Sequence, residues 1–273
     1  RGVKLPAGGA GFGLCGVAPC RPLAASEARC RRWLGHGYQS SLACLEGHTE
    51  KRVDPARLVK GARTAVVCAV AYRNRTSEGY PATCRTKIAS YACTTDYHTT
   101  IRGMLHGMLQ RLKTTYPGLE GRAFVDTAPL AEKQLAVEAG LGWIGRQSLL
   151  ITPQFGSFVL LGELILTEEA DTYDTPFEGS RCGSCRACID HCPAGAILDE
   201  RMIDTGRCIA CHAIERAPAS AVGPAGWIFG VAACQSVCPY NGCAPELRKP
   251  AVYTPFPPAD PPPAPSAPSP PPH

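Results

Sequence analysis

Residues 181–197, RCGSCRACIDHCPAGAI, carry four cysteines as a C-x2-C-x2-C-x3-C-P run. Thiolate is a soft ligand, and sulfurs at this spacing suit iron–sulfur clusters. In two-cluster ferredoxins the first three cysteines of such a run hold one [4Fe-4S] cluster and the fourth reaches across to the other. A second run follows in interrupted form: Cys208-Ile-Ala-Cys211, an insertion, then Cys234-Gln-Ser-Val-Cys238-Pro. Its closing C-x3-C-P repeats the first motif. Reciprocal exchange assigns Cys182, Cys185, Cys188 and Cys238 to one cluster, and Cys192, Cys208, Cys211 and Cys234 to the second. One or two structural zinc ions would also use C-x2-C pairs, although zinc has no need of the two proline-closed ends. Two clusters pass single electrons and break no substrate bond unaided, so the rest of the chain must hold a reaction centre or serve as a docking body.

The other eight cysteines, Cys15, Cys20, Cys30, Cys44, Cys68, Cys84, Cys93 and Cys243, show no ligand spacing and read as small apolar residues. Sixteen cysteines in 273 residues, half of them at metal-ligand spacing, indicate a reducing compartment rather than a disulfide scaffold. The chain is expected to be soluble there, in the cytoplasm, or in an organelle matrix or stroma if a targeting segment preceded Arg1. No uninterrupted apolar run reaches the roughly 18 residues of a membrane helix. The nearest, LLITPQFGSFVLLGELILT, is broken by Pro153, Gly156 and Glu163. Charge is uneven: residues 1–90 carry 15 Lys and Arg against 5 Asp and Glu, and the remainder 13 against 18. The basic first third suits an anionic partner, nucleic acid or an acidic protein, or is a solvated face.

Elements must position these groups. EARCRRWLGHGY has helical spacing and TAVVCAVAY suits a buried strand. The stretch KIASYACTTDYHTTIRGMLHGMLQRL reads as one long amphipathic element, followed by a short strand, RAFVDT. Pro129 and Glu132 mark the first turn of a helix ending near Gly140. SLLIT and SFVLLGELILT, separated by PQFG, read as two strands paired with each other. The fold class is therefore α/β, an α+β sandwich-like unit with a mixed sheet over residues 1–178, followed by a small ferredoxin-like two-cluster unit over 179–245. Residues 246–273 form a proline-rich tail without the apolar content to pack.

Nearly the whole stretch from residue 11 to 241 resembles the epoxyqueuosine reductases, cobalamin-dependent iron–sulfur enzymes of tRNA queuosine synthesis. The resemblance is carried by GFGLCGVA, RRWLGHGY, HTEKRVDPARLVKGARTAVVCAVAY, SYACTTDYH, FVDTAPLAEKQLAVEAGLGWIGRQSLLI, GSFVLLGELILT and CPYN, of which FVDTAPLAEK with AGLGWIG is the most specific. It implies a corrinoid held between the larger domain and the clusters, and reduction of an epoxide on a tRNA base to an alkene with loss of water. Asp126 matches the family's proton donor. Asp126 lies between a strand and a helix, where sites gather in α/β folds, but a helix N-terminus favours its ionised form, so acid catalysis would need burial to raise its pKa. Asp96, Tyr97 and His98 match a DYH motif facing the corrinoid, Arg52 a basic position supporting it, and Trp143 to Ser148 the loop beneath it, with Trp143, Gln147 and Ser148 as cofactor contacts. From its residue type alone His98 is either a ligand or a structural cap.

The chain departs from the family pattern in places. Val231 stands where a cysteine is usual, Cys211 where a tyrosine is, and Cys93, Thr94 and Thr95 where basic residues precede DYH, so phosphate contacts to the expected tRNA substrate are fewer. The expected partners are tRNA and a low-potential electron donor. A related dehalogenase-like reductase keeps the chemistry with another substrate; a non-catalytic iron–sulfur subunit of a larger, possibly organellar, assembly is the alternative of a different class.

Overall fold

The computed structural model describes residues 11–73, 87–93, 96–215 and 227–242. Cys84, Thr94, Thr95, Cys243, the side chain of Cys93 and the proline-rich segment lie outside the described residues. In chain order the first part contains β1 (Leu14–Pro19), α1 (Ala24–Gly35), α2 (Thr49–Val53), β2 (Thr64–Ala71), β3 (Lys87–Ile88), α3 (Tyr97–Thr115), β4 (Gly121–Phe124), α4 (Glu132–Glu138), β5 (Trp143–Ile144), β6 (Leu150–Ile151) and β7 (Val159–Leu166). The cysteine-rich part adds α5 (Ala187–Asp190), β8 (Ile197–Leu198), β9 (Met202–Ile203), α6 (Ile209–Glu215), β10 (Trp227–Phe229), α7 (Ala233–Ser236) and α8 (Pro239–Gly242).

The central sheet has the order β1-β2-β7-β4 and is antiparallel throughout; the parallel component is a separate pair, β3 with β10, which joins the two parts of the chain. All eight residues of β2 are buried, because helices cover both faces. On one face α3 presents Ile101, Leu105, Met108, Leu109 and Leu112, a stripe at helical period, to Val66, Cys68, Val70, Leu164 and Leu166. Gly162 permits the close approach, since a Cβ there would meet Ile101 Cγ2 at 2.5 Å. On the other face Leu135 and Ala136 of α4, with Val53 and Val59, pack on Ala65, Val67, Ala69 and Ile165. Alternation along β7 thus aims 164 and 166 at α3, and 161, 163 and 165 at α4.

Two sequence expectations change. SLLIT and SFVLLGELILT do not pair: β6 joins β5, and β7 lies between β2 and β4, with only a Thr152–Gly156 bridge closing the turn between them. A strand apolar on both faces is stabilised more by a central position than by a hairpin. The long amphipathic stretch is not one helix either. Helix begins at Tyr97, where Asp96 caps it by accepting the His98 N–H at 3.0 Å, and the preceding residues form β3 and a 3-10 turn, Ser90–Cys93. The helix marked by Pro129 begins slightly later, at Glu132.

A buried polar network fastens the cysteine-rich part to the sheet. Asn241 Oδ1 accepts the Ser157 N–H at 2.7 Å, and its Nδ2 donates to Ser157 Oγ (2.9 Å) and Gln235 O (2.7 Å). Gln235 Nε2 donates to Ser157 O and to the Tyr72 hydroxyl, both at 3.0 Å. Gly156, at φ +57, leaves the space that Asn241 enters: a Cβ would stand 2.0 Å from its Oδ1. On the opposite flank Trp33 of α1 donates its indole N–H to Ile203 O at 2.7 Å. Among the described residues no helix is long and apolar enough to cross a membrane.

Candidate functional site

Beyond the end of β4, Val125 is buried and Asp126 turns outward in the left-handed region, φ +55, with 60% of its side chain exposed. Two hydrogen bonds hold it there. Its backbone N–H donates to Glu132 Oε1 at 2.7 Å, and its Oδ2 accepts the Tyr97 hydroxyl at 2.6 Å. His98 Nε2 lies 3.6 Å from the same oxygen, while His98 Nδ1 lies 2.8 Å from Asp96 Oδ1. The DYH motif therefore works as a unit. Asp96 caps α3, accepts the Thr99 hydroxyl at 2.8 Å and fixes the histidine, whose ring stacks on Tyr97 at 4.0 Å. The hydrogen bonds from the His98 and Thr99 side chains pull the Asp96 carboxyl down to about 2. Burial, and then the Asp126 carboxylate accepting its hydrogen bond, push the Tyr97 phenol up, so it stays a donor.

Behind Asp126 stands a group that the sequence marks only as a break in an apolar run. Glu163, in the middle of β7, is fully buried, and neither carboxyl oxygen has a donor among the described residues. The Glu132 carboxyl lies close enough across the α4 face of the sheet to interact with it. Burial pushes Glu132 up to about 7 and Glu163 well above the usual carboxyl range. A lone Glu inside GELILT was the available signal.

A cavity of about 560 Å³ opens between the sheet unit and the cysteine-rich part. Arg52, Glu132, Lys133 and Ser148 line it from one side, Cys208, Cys211 and Ile214 from the other, with Trp33, Leu42 and Ile144 as apolar wall. Arg52 O accepts the Ala131 N–H at 2.8 Å, tying α2 to the start of α4. Lys133 Nζ donates to Ser148 O at 2.7 Å, and the Ser148 hydroxyl donates to Arg201 O. Of the expected cofactor contacts, Arg52 and Ser148 meet here. Asp96, Tyr97, His98 and Asp126 form their own group at the end of β4, and Trp143 and Gln147 lie elsewhere. Trp143, 1% exposed, packs against Phe177 (5.3 Å) and Tyr240 (4.7 Å).

Gln147 faces a second cavity, of about 210 Å³, which Cys182, Cys185, Cys188 and Cys238 surround together with Arg146 and Arg181. Among the described residues no three His, Cys, Asp or Glu side chains converge on a point as a single ion would need. These four sulfurs instead enclose a space large enough for a group of several atoms. Gln147, 1% exposed, has no partner for its Nε2, and the Arg146 Nε is also buried and unpartnered. Orphaned donors cost about 1–3 kcal/mol each unless something accepts from them, and a cluster's sulfurs are acceptors at the right place. The residues therefore fit a cluster. The thiol of Cys234, raised to about 12 by burial, has Cys208, Cys188 and Cys192 as its nearest charged neighbours, and Cys192 Sγ accepts the Ala196 N–H at 3.3 Å. Of the two expected cysteine sets, Cys182, Cys185, Cys188 and Cys238 surround the smaller cavity, and Cys208 and Cys211 of the other set line the larger one.

Comparison with known proteins agrees. Residues 52–127 match the family model for epoxyqueuosine reductase QueG, DUF1730, and residues 181–241 match a 4Fe-4S double cluster binding domain. An epoxyqueuosine reductase of Cyclobacterium marinum is 39% identical over 245 residues, covering 88% of this chain and 78% of the relative. One from Gloeobacter violaceus is 34% identical over 265 residues, covering 95% and 81%. Among solved structures, an epoxyqueuosine reductase with an epoxyqueuosine-modified tRNA stem loop superposes with TM-score 0.76 at 28% identity, over 90% of this chain and 66% of that one. A Bacillus subtilis epoxyqueuosine reductase, solved with an aspartate-bearing catalytic loop swung out of the active site, gives 0.75 at 27% identity, again over 90% and 66%. A reductive dehalogenase described for B12-dependent dehalogenation shares the fold, at TM-score 0.50 and 18% identity over 66% of this chain and 26% of that one.

Proposed function

The chain belongs to the epoxyqueuosine reductase family of oxidoreductases, and on that premise we propose that it reduces the epoxide of epoxyqueuosine in tRNA to the alkene of queuosine. The balance is an epoxide, two electrons and two protons giving an alkene and water. The observation that carries this reading is that Glu132, which holds the Asp126 backbone, also lines a chamber whose opposite side carries Cys208 and Cys211 of the cluster motifs.

The sheet unit, residues 1–178, supplies the chamber, and residues 179–245 the relay. Cys182, Cys185, Cys188 and Cys238 would hold one [4Fe-4S] cluster, and Cys192, Cys208, Cys211 and Cys234 the other. The exposed Cys185 marks where a low-potential electron donor would reach the first, and Cys208 and Cys211, which line the chamber, would bring the second to it. A corrinoid would lie against the apolar wall of Trp33, Leu42 and Ile144, with Arg52 and Ser148 as polar contacts. When bound it supplies a reduced cobalt able to open the epoxide, the clusters supplying its electrons. Asp126 is 60% exposed, short of the burial that acid catalysis requires, so its delivery of a proton from Oδ to the departing oxygen depends on the bound substrate covering it. Tyr97 orients that carboxyl through its hydroxyl, and His98, anchored by Asp96, stands beside the same oxygen.

The test is direct. Protein purified without oxygen and reconstituted with iron, sulfide and cobalamin is given a reductant and an epoxyqueuosine-bearing tRNA stem loop, and the nucleoside is weighed by mass spectrometry. Loss of one oxygen is expected. Full clusters with no corrinoid absorption and no oxygen lost would instead favour the non-catalytic subunit.

A further inference from the structure

Glu163 is the one fully buried carboxyl among the described residues, and the mechanism above leaves it unused. Its neighbours explain why it is tolerated. The parity of β7 aims it at the face carrying α4, and its register partner on β4 is Phe124, two residues before Asp126. The contact it makes there is with the Glu132 carboxyl. Two ionised carboxylates cannot hydrogen-bond, because neither has a donor, and no other donor reaches either oxygen of Glu163 among the described residues. A hydrogen bond between the two carboxyls can form only if one of them is protonated. Glu132 also acts on the neighbouring loop, because its Oε1 accepts the Asp126 N–H at 2.7 Å and thereby holds a non-glycine residue in the left-handed region.

We infer that Glu132 and Glu163 share one proton, and that this singly charged pair is the positioning device that holds Asp126 in its left-handed turn beside Tyr97 and His98. This rests on the proposed function for its catalytic meaning, but not for its geometry. With a proton between them, Glu163 donates to Glu132, and Glu132 keeps the electron-rich oxygen that grips the Asp126 amide. With both ionised, like charges in a dry site would force them apart; with both protonated, the grip on the amide weakens. The charged and titratable groups facing the pair are Asp126 beyond β4, Lys133 on α4, Cys68 on β2, and Tyr97 and His98 at the start of α3. Burial with little compensating positive charge keeps the shared proton in place at neutral pH, consistent with the raised positions of both carboxyls.

The experiment uses the holoprotein and needs no substrate. Infrared spectra at neutral pH should contain the carbonyl stretch of a protonated, solvent-shielded carboxylic acid, absent from Glu163→Gln. In Glu163→Gln the amide N–H still donates to Glu132, so hydrogen exchange at the Asp126 amide should stay within about threefold of wild type. In Glu163→Leu that donor is gone, and exchange at Asp126 should rise roughly tenfold to a hundredfold while β2 stays protected. Should the leucine variant fail to fold, Glu132→Ala reads the same amide. Identical infrared spectra for wild type and Glu163→Gln would overturn the shared proton, and unchanged exchange at Asp126 in the leucine or alanine variant would overturn the positioning role. Wild type that keeps the infrared band but does not turn over tRNA would leave this pair intact and sink only the proposed activity.

Discussion

Around Asp126 the functional groups hold one another: Tyr97 bonds its carboxylate, Glu132 its backbone, and Asp96 anchors His98 beside it. Around the smaller cavity the buried nitrogens of Gln147 and Arg146 find no protein acceptor among the described residues, and four thiols face one another across a gap. The acid site is thus complete on a sheet that folds by apolar burial. The cysteine-rich part, with short helices of four to seven residues and strands of two or three among the described residues, has little core of its own and would draw its stability from what the sulfurs bind. One region is preorganised by folding and the other by ligation.

The severest challenge to that contrast is chelation of the metal under reducing conditions. Hydrogen exchange across 181–242 should lose its protection, by several orders of magnitude for the slowest amides, while β2 and β7 keep theirs. Equal loss in both regions would mean that the sheet also depends on the clusters. Next in size is Asp126→Asn, which should lower kcat by about 10²–10⁴ with iron and corrinoid content unchanged. If metal content fell with the rate, the two regions would be coupled after all. Tyr97→Phe removes one hydrogen bond to a carboxylate and should cost roughly tenfold in kcat, with little change in KM. Gln147→Leu makes the smallest change: the reduction potential of the nearby cluster, followed by electron paramagnetic resonance, should fall because a donor to its sulfurs is lost, with iron content and Asp126 chemistry unaltered.

Acidity separates the regions in a different way. Folding raises the Glu132 carboxyl to about 7. The folded chain therefore binds this proton more tightly than the unfolded one, so its contribution is fully present below the ordinary carboxyl pKa and is lost as pH rises through about 7. Denaturant midpoints of the holoprotein should fall over that window, and Glu163→Gln should flatten the slope.

The cysteines were legible because ligand spacing is local: a C-x2-C-x2-C-x3-C-P run announces its chemistry within a dozen residues, and the two separate cysteine sets follow from it. Asp126 was legible through the family resemblance, but its support was not. Tyr97 and Glu132 reach it from α3 and α4, with Glu163 of β7 behind Glu132, and only the packing of the sheet brings them together. Strand pairing was misread for the same reason, since SLLIT and SFVLLGELILT share one apolar signature and register decides their partners. Gln147 and Ser148 were expected on one wall. The turn between β5 and β6 gives adjacent residues opposite directions, so Ser148 lines the larger cavity and Gln147 the smaller. Asn241 and Ser157 carried no signal beyond the CPYN and GSFVLLGELILT matches, and Gln235 none beyond its place between Cys234 and Cys238, since ordinary polar residues reveal a joint only once their partners are known.

That joint has a kinetic consequence. Asn241 is inserted where Gly156 has no side chain, and its neighbours are satisfied only while it stays there. Tunnelling falls off steeply with distance, and here the gap between the cysteine cavity and the chamber is settled when the chain folds. On the proposed function, the length of the electron path is then built in by folding.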